Sequence, residues 1–229
     1  INGAMQVAQR GTSSTSSGYG SVDRFFQGYG GTDEAPTQAQ VDVASGTTPY
    51  TLGFRKALRI TNGNQTSGAG ASDVIQTVYK IEAQDIANSG WNYTSASSYI
   101  TLSFWVKSSV AQEFHGFLLT NDGSAQLYSF SLGSLSADTW TKVTKTIPGN
   151  SNLTFNTDNG EGLNLRITMF HGTARTGSIT QNQWAAFNSN LRYPNYTSTW
   201  YTTNDATFEL TGMQLEVGSV ATDFEHRSF

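Results

Sequence analysis

Residues 99–107 read YITLSFWVK, and this stretch decides the fold class. Apolar side chains occupy every second position from Ile100 to Val106, and the positions between them carry Thr101, Ser103 and Trp105. Successive side chains of a β-strand point to opposite faces, so a period of two predicts a strand with one face in a core.

The same alternation recurs at residues 163–169, and turn-forming pairs such as Asn62-Gly63 separate further runs. The other predicted strands are Met5–Arg10, Asp23–Gln27, Ala57–Asn62, Val74–Glu82, Glu113–Thr120, Leu127–Leu132, Trp140–Ile147 and Phe208–Val217. The segments Ala83–Asn88 and Asn182–Phe187 are predicted to be briefly helical. In the last strand the inward set changes parity at Thr211-Gly212, which predicts a β-bulge.

About ten short strands joined by turns predict an all-β fold, an antiparallel two-sheet β-sandwich of the jelly-roll kind. We expect residues 1–229 to form one such domain and to be a segment of a longer polypeptide.

The composition supports strands and excludes several classes of protein. Ser, Thr, Asn and Gly make up about two fifths of the chain, a mixture that favours strands and turns over helices. There is no Cys, so disulfides and cysteine chemistry are excluded. The net charge is -4 with no basic stripe, which argues against nucleic-acid binding. No apolar run is long enough to span a membrane.

Residues that could carry catalysis or bind a metal are scattered. His115, His171 and His226 are far apart in sequence, and each is predicted to be structural. Glu209 and Glu216 share a predicted strand but fall on opposite faces unless the bulge intervenes. We therefore predict no enzyme activity, no metal site and no cofactor.

Aromatic residues concentrate between Trp184 and Tyr201, beside amide and guanidinium groups. A sugar ring stacks its C–H face on an aromatic ring, and its hydroxyls need such polar groups. One interpretation is a sugar site, with Trp200 and Tyr201 as stacking platforms, Arg192 and Asn195 as polar contacts, and Tyr193 and Tyr196 beside them. The alternative is a long loop that packs its aromatic rings over a sheet edge or a neighbouring subunit.

Several landmarks, in order along nearly the whole chain, resemble a recurring bacteriophage tail-fibre or virion-surface module. The landmarks are Asn2-Gly3-Ala4-Met5-Gln6, Gln9-Arg10-Gly11, Asp23-Arg24-Phe25-Phe26, residues 102–108, Trp140-Thr141-Lys142-Val143 with Ile147-Pro148-Gly149, residues 210–218 and residues 221–227. The same order is similar to family 4/9-type carbohydrate-binding jelly rolls. Where those modules often hold a structural calcium, this chain has Gln6 and Thr211-Gly212, which lack the charge that calcium prefers.

The resemblance implies a non-enzymatic domain of a phage tail fibre or spike, located on the virion, that helps to attach the particle to a host cell-surface glycan. Its implied partners are other virion proteins and further copies of itself, as a homotrimer. Two alternatives stay open. One is a purely structural fibre or capsid decoration domain, and the other is a carbohydrate-binding module of a secreted bacterial glycosidase.

Overall fold

A computed structural model describes residues 2–226; Arg227, the last residue of the C-terminal landmark, lies outside them. Most of these residues belong to strands or to the loops between them. The strands are β1 (Ser13–Ser14), β2 (Phe25–Gly30), β3 (Thr37–Asp42), β4 (Lys56–Thr61), β5 (Val74–Glu82), β6 (Tyr99–Ser108), β7 (Gln112–Thr120), β8 (Gln126–Leu135), β9 (Thr141–Pro148), β10 (Glu161–His171), β11 (Trp184–Ala186) and β12 (Thr207–Val217). The helices are α1 (Thr48–Thr51), α2 (Ala83–Ala87) and α3 (Thr199–Thr202), with a single 3₁₀ turn at Thr173–Arg175.

The strands form two six-stranded antiparallel sheets. The first sheet has the order β1-β3-β4-β12-β6-β9, and the second has the order β11-β8-β7-β10-β5-β2. Neighbouring strands in each sheet are often far apart in sequence, so long connections cross between the sheets. The predicted fold class, an antiparallel two-sheet β-sandwich, is confirmed.

The central strand β6 occupies the position that its alternation predicts. Its apolar residues are buried between the sheets, whereas Trp105 and Lys107 lie on the opposite face and are partly exposed. The buried residues of β6 are Ile100, Leu102, Phe104 and Val106. Each such side chain contributes about 1.5–3 kcal/mol relative to an exposed position, so this strand alone anchors much of the core.

The predicted bulge in β12 is also confirmed. The register of β12 against β6 shifts between Thr211 and Gln214. Gly212 has a φ of 64°, and a Cβ atom there would lie 2.6 Å from the ring of Phe54. Glycine is therefore required both by the backbone and by the space available. Because β4 pairs with β12 only as far as Leu210, the second half of β12 is left without that neighbour.

Two predicted elements are wrong. Met5–Arg10 is not a strand, because the side chain of Asn2 binds the backbone of this segment in place of a neighbouring strand. Asn2 Oδ1 accepts a hydrogen bond from Val7 N at 3.0 Å, and its Nδ2 donates to Val7 O at 2.9 Å. The predicted helix at Asn182–Phe187 instead contains β11, where Trp184 pairs with Tyr128 of β8.

Strand β3 was not predicted because its sequence, TQAQVD, is mostly polar. The buried side chain of Gln38 shows how a polar strand is accommodated. Its Oε1 accepts a hydrogen bond from the Ser21 hydroxyl at 3.1 Å, and its Nε2 donates to Ser16 O at 2.9 Å. Hydrogen bonding replaces hydrophobic burial at this position, which a hydrophobicity pattern does not detect.

Candidate functional site

The aromatic segment 184–201 covers part of the second sheet. Leu118 of β7 belongs to the main core, whereas its neighbours Phe117 and Leu119 belong to a second cluster on the outer face. Tyr193 completes that cluster, with its ring centroid 5.2 Å from that of Phe117. The centre of the segment therefore packs on the sheet, as the alternative interpretation describes.

Trp200 and Tyr201 are both buried, which corrects their assignment as stacking platforms. They lie in α3 and not on a strand, so successive side chains need not point in opposite directions. Trp200 Nε1 donates to Thr207 O at 3.0 Å. The Tyr201 ring stacks on Phe170 at 4.4 Å, and its hydroxyl donates to the Asp73 carboxylate at 2.9 Å. Burial, and then the Asp73 carboxylate, raise the pKa of Tyr201.

Tyr193 is fully buried as well, so the same correction applies to it as a sugar contact. Its hydroxyl is hydrogen-bonded to that of Thr168, and burial raises the pKa of Tyr193 to about 12. Tyr196 is half-buried; its hydroxyl donates to Thr168 O at 2.9 Å and accepts from His115 N at 3.0 Å. These two hydroxyls fasten the loop to the sheet.

Arg192 and Asn195 remain accessible, so their role in binding stays a prediction. Arg192 is half-buried, donates from Nε to Ser189 O at 3.2 Å and lies 5.4 Å from the ring centroid of Phe187. Asn195 is exposed, and its Oδ1 accepts from the Thr176 hydroxyl at 3.3 Å.

A cleft opens between the two sheets beside the second half of β12. It has a volume of about 760 Å³. Leu102 and Leu215 of the first sheet face Leu118 and Leu165 of the second across an apolar floor. The charged and polar residues around it are Arg24, Lys80, Asp85, Ser89 and Glu216. The cleft lies where β4 no longer pairs with β12.

A second, more exposed hollow of about 390 Å³ adjoins the cleft. The two share Arg24, Lys80 and Ile81, and we refer to them together as the edge groove. The other residues of the hollow are Arg10, Tyr19, Glu82, Asn159, Gly160 and Glu161. The edge groove thus combines an apolar interior with a polar, solvent-facing end.

Tyr19 is the exposed aromatic ring of this hollow. It is 37% exposed, and its ring contacts Phe26 edge-on at a centroid distance of 5.4 Å. The Arg10 guanidinium lies 5.9 Å from the same ring centroid. The ring is therefore held in place while part of it stays open to solvent.

One carboxylate of the edge groove, that of Glu161, is held by an ion pair and by two amides. Lys80 Nζ lies 2.6 Å from Glu161 Oε2, and Asn121 and Asn164 each donate to Glu161 Oε1 at 2.6 Å. Burial alone would raise the pKa of Glu161, but Lys80 and the two amides outweigh it and lower this pKa. Glu161 is therefore an ionised hydrogen-bond acceptor at neutral pH. Elsewhere in the groove, Arg24 lies within hydrogen-bonding reach of the Tyr79 hydroxyl, whose pKa is raised chiefly by burial.

The bulge in β12 does intervene between Glu209 and Glu216. These residues pair with Lys107 and Thr101 of β6, two positions of the same face. Glu209 is buried and forms ion pairs with Arg59 at 2.7 Å and with Lys107 at 2.9 Å, so its role is structural.

Within residues 2–226 no three His, Asp or Glu side chains lie close enough together to form a metal site. Every helix in this part of the chain is too short or too polar to span a membrane.

The edge groove was not predicted from the sequence. Tyr19 is a single aromatic residue within the Ser/Thr/Gly run at residues 11–21. This isolated ring is the sequence feature that could have indicated a binding role for the segment. Arg10 and Arg24 belong to the N-terminal landmarks, but Asn159 and Glu161 come from a turn more than a hundred residues away. The pairing of β5 with both β2 and β10 brings these parts together.

No known protein family matches the sequence, and no curated protein matches it. Similar solved structures include a phage tailspike domain and several carbohydrate-binding modules. The enzymatically active domain of tailspike protein 4 of bacteriophage CBA120 is 9% identical over 95% of this chain, with a TM-score of 0.45, and the chain spans only 21% of that protein.

The N-terminal cellulose-binding domain of Cellulomonas fimi β-1,4-glucanase C is 12% identical, with a TM-score of 0.42, over 94% of this chain and 99% of that domain. The CBM22-1–GH10 modules of Clostridium thermocellum xylanase 10B, in a structure with xylohexaose, are 10% identical, with a TM-score of 0.41, over 88% of this chain and 27% of that chain.

Proposed function

We propose that this chain is a non-catalytic glycan-binding domain that holds its ligand in the edge groove. The observation that carries the proposal is the exposed Tyr19 ring beside Arg10, Asn159 and the Glu161 carboxylate. The C–H face of a sugar ring can stack on Tyr19, and its hydroxyls can exchange hydrogen bonds with the planar groups around it.

The charges of the groove favour binding over hydrolysis. Glycoside hydrolysis needs one carboxylic acid with a raised pKa to protonate the leaving oxygen. Glu161, which lies opposite Glu82 in the β10–β5 pair, has a lowered pKa instead. A carboxylate that stays ionised can accept hydrogen bonds from sugar hydroxyls but is a poor proton donor.

Replacing Tyr19 with Ala tests this site. An aromatic stacking platform contributes about 1–3 kcal/mol where a flat ring partner is bound, so a glycan that binds the wild type should bind Tyr19→Ala about tenfold more weakly. Calorimetry against a glycan found by array screening measures this. Tyr50→Ala is the matched control, because Tyr50 is also partly exposed and has an arginine, Arg55, 4.0 Å from its ring centroid. Equal affinity of Tyr19→Ala and the wild type would contradict the site.

We further propose that the domain belongs to a phage fibre or spike on the virion and attaches the particle to a host-surface glycan. The support is the ordered set of sequence landmarks, whose ends meet in the structure. Met213 N donates to Gly3 O at 3.0 Å, and a Cβ atom on Gly3 would lie 1.9 Å from Met213 O. The landmark glycine is thus needed for close packing against the closing strand. This packing explains why the landmark residues matter for the fold. The proposed virion role is supported by the resemblance of the landmarks to the phage module.

A polysaccharide panel separates this proposal from its alternatives. A virion attachment domain should bind bacterial capsular or lipopolysaccharide chains in preference to cellulose, xylan and galactan. Preference for the plant polysaccharides would favour the module of a secreted glycosidase. Absence of binding to every member, with a folded protein, would favour a purely structural domain.

A further inference from the structure

Three arginines lie close together on the outer face of the second sheet. Arg166 belongs to β10, where its neighbours Leu165 and Ile167 are in the core, so its side chain points outward. Arg175 and Arg192 come from the loop that covers this face, and Arg192 N donates to Arg175 O at 2.9 Å. We refer to these three residues as the arginine cluster.

Aromatic rings hold two of the three arginines in place. The Arg166 guanidinium lies 5.3 Å from the ring centroid of Phe117, and that ring packs on Tyr193. Arg192, the next residue to Tyr193, lies over Phe187. Each of the three arginines is only half-exposed. Packing on these rings therefore fixes where the guanidinium groups of Arg166 and Arg192 lie.

The hydrogen-bond partners of the cluster are neutral. Arg166 Nε donates to Asn164 Oδ1 at 3.1 Å, and Arg175 donates to Asn190 Oδ1 at 2.6 Å. Arg192 donates to a backbone carbonyl. None of the ion pairs in the described part of the chain involves these arginines. Glu161 reaches Arg166 only through Asn164, and its own charge is paired with Lys80.

A buried histidine lies in the field of the cluster. His171 is 5% exposed, and its Nδ1 has no hydrogen-bond partner within residues 2–226. Burial, followed by the positive charge of Arg192 with smaller effects of Arg175 and Arg166, lowers the pKa of His171 to about 4. Burial and then Arg166 also lower the pKa of Arg192. These like charges repel each other, so an anion between them would stabilise the arrangement.

We infer that the arginine cluster binds the anionic groups of an acidic glycan, such as uronate carboxylates or sulfate and phosphate esters. The guanidinium fork matches the oxygen atoms of these groups and binds them through two parallel hydrogen bonds. Phe187, half-buried beneath Arg192, adds an aromatic edge for the sugar ring itself. The inference rests on the proposed function in taking the ligand to be a saccharide, but it assigns the acidic group to the arginine cluster and not to Tyr19.

The test uses the full chain and pairs of polysaccharides that differ only in charge. Uronic-acid-containing capsular polysaccharides and polygalacturonate are compared with their carboxyl-reduced forms. Heparin is compared with heparin that has been both desulfated and carboxyl-reduced, and a mannan that carries phosphate monoesters with the same mannan after phosphatase treatment. We expect at least one acidic member to bind about tenfold more tightly than its neutral partner, and more weakly as salt rises.

Arg175→Gln and Arg192→Gln should each reduce that affinity about tenfold, because each removes one charged fork. Arg55→Gln is the matched control: Arg55 also lies over an aromatic ring, that of Tyr50, and should not affect binding. Arg192 is half-buried, so its variant is compared only after thermal unfolding shows that it folds. Arg175 lies on a 3₁₀ turn and serves as the second, milder variant.

Equal binding of acidic and neutral partners, or unchanged affinity in both variants, would overturn the inference. So would single-stranded DNA that binds as tightly as the acidic glycans and is weakened by the same variants. If acidic glycans bind in a way that depends on Tyr19 but not on the cluster, this inference alone would be refuted. No binding to any glycan would refute the proposed function as well.

Discussion

At the scale of single residues, the aromatic side chains of this protein divide between packing and exposure. Trp200, Tyr201 and Tyr193 have their polar atoms hydrogen-bonded inside the molecule. Tyr19, in contrast, presents its ring at the surface. An aromatic residue is thus a candidate for ligand stacking only where its burial leaves a face open, and sequence clustering does not report burial.

The hydrogen bond between Tyr201 and Asp73 should stabilise the fold. Tyr201→Phe removes the donor and leaves a buried carboxylate oxygen with one partner fewer, which costs about 1–3 kcal/mol. Urea unfolding followed by fluorescence measures the change. Tyr29→Phe is the control, since the Tyr29 hydroxyl donates to Thr15 O in an exposed bond. Similar small losses in both variants would show that the buried bond contributes little.

His171 should make stability depend on pH. Its pKa is about 4 in the folded protein and lies near 6.5 in the unfolded chain, so between these values the unfolded state binds more protons. The stabilisation is complete above pH 6.5 and is lost as the pH falls toward 4, with a total of up to about 3 kcal/mol. His171→Asn should flatten this slope in unfolding measurements from pH 7.5 to 4.

The free energy of unfolding at pH 7.5 serves as the reference, because the imidazole is neutral there in both states. Any difference at that pH comes from packing. A slope between pH 6.5 and 4 that is the same in His171→Asn and the wild type would contradict the assignment.

At the scale of elements, β12 changes its neighbours along its length. Before the bulge it pairs with both β4 and β6, and after the bulge it keeps only β6 and one bond to Gly3. The loss of β4 beyond Leu210 coincides with the opening of the edge groove. One glycine-dependent bulge therefore divides the sandwich into a closed half and an open half.

Gly212→Ala should destabilise the protein more than Gly133→Ala. Both glycines have positive φ angles, 64° and 88°, so alanine is strained at either position by about 1 kcal/mol. Only at Gly212 would the added Cβ meet a buried ring, that of Phe54 at 2.6 Å, whereas nothing lies within 4 Å at Gly133. Denaturant midpoints give the comparison. Equal destabilisation of the two variants would contradict this prediction, because it would mean that the Phe54 ring moves aside without a cost in folding free energy.

At the scale of the whole molecule, the outer face of the first sheet is a candidate surface for self-association. Trp105 and Trp140 are partly buried there beside the Ala4, Val43, Phe54 and Ala57 cluster. Lys107 lies 5.2 Å from the ring centroid of Trp140 and pairs with Glu209. Partly open tryptophans are typical of contact surfaces between subunits.

The chain is predicted to form a homotrimer. Light scattering at micromolar concentration should give about three times the mass of one chain, and Trp105→Ser should lower it if this face forms the contact. Tyr19→Ser, which removes an exposed ring that packs on Phe26 of the second sheet, is the control. A monomer at every concentration tested would contradict the prediction for this chain.

The fold class, the positions of most strands and the bulge in β12 follow from local patterns of residues. Strand periodicity is a local property: YITLSFWVK needs only its own alternation to predict one buried face. The polar strand β3 was missed because its stability comes from hydrogen bonds to residues that are distant in sequence. The strand predicted near the N-terminus was wrong because the Asn2 side chain takes up the backbone bonds there.

Which side chains can meet a ligand is visible in the folded chain alone. Trp200 and Tyr201 are core residues because α3 turns both side chains inward. Tyr19 and Glu161 meet at the edge groove, and Arg166 meets Arg192, because strand pairing joins parts of the chain far apart in sequence. Burial and proximity depend on the folded chain as a whole, and no local pattern of residues encodes them.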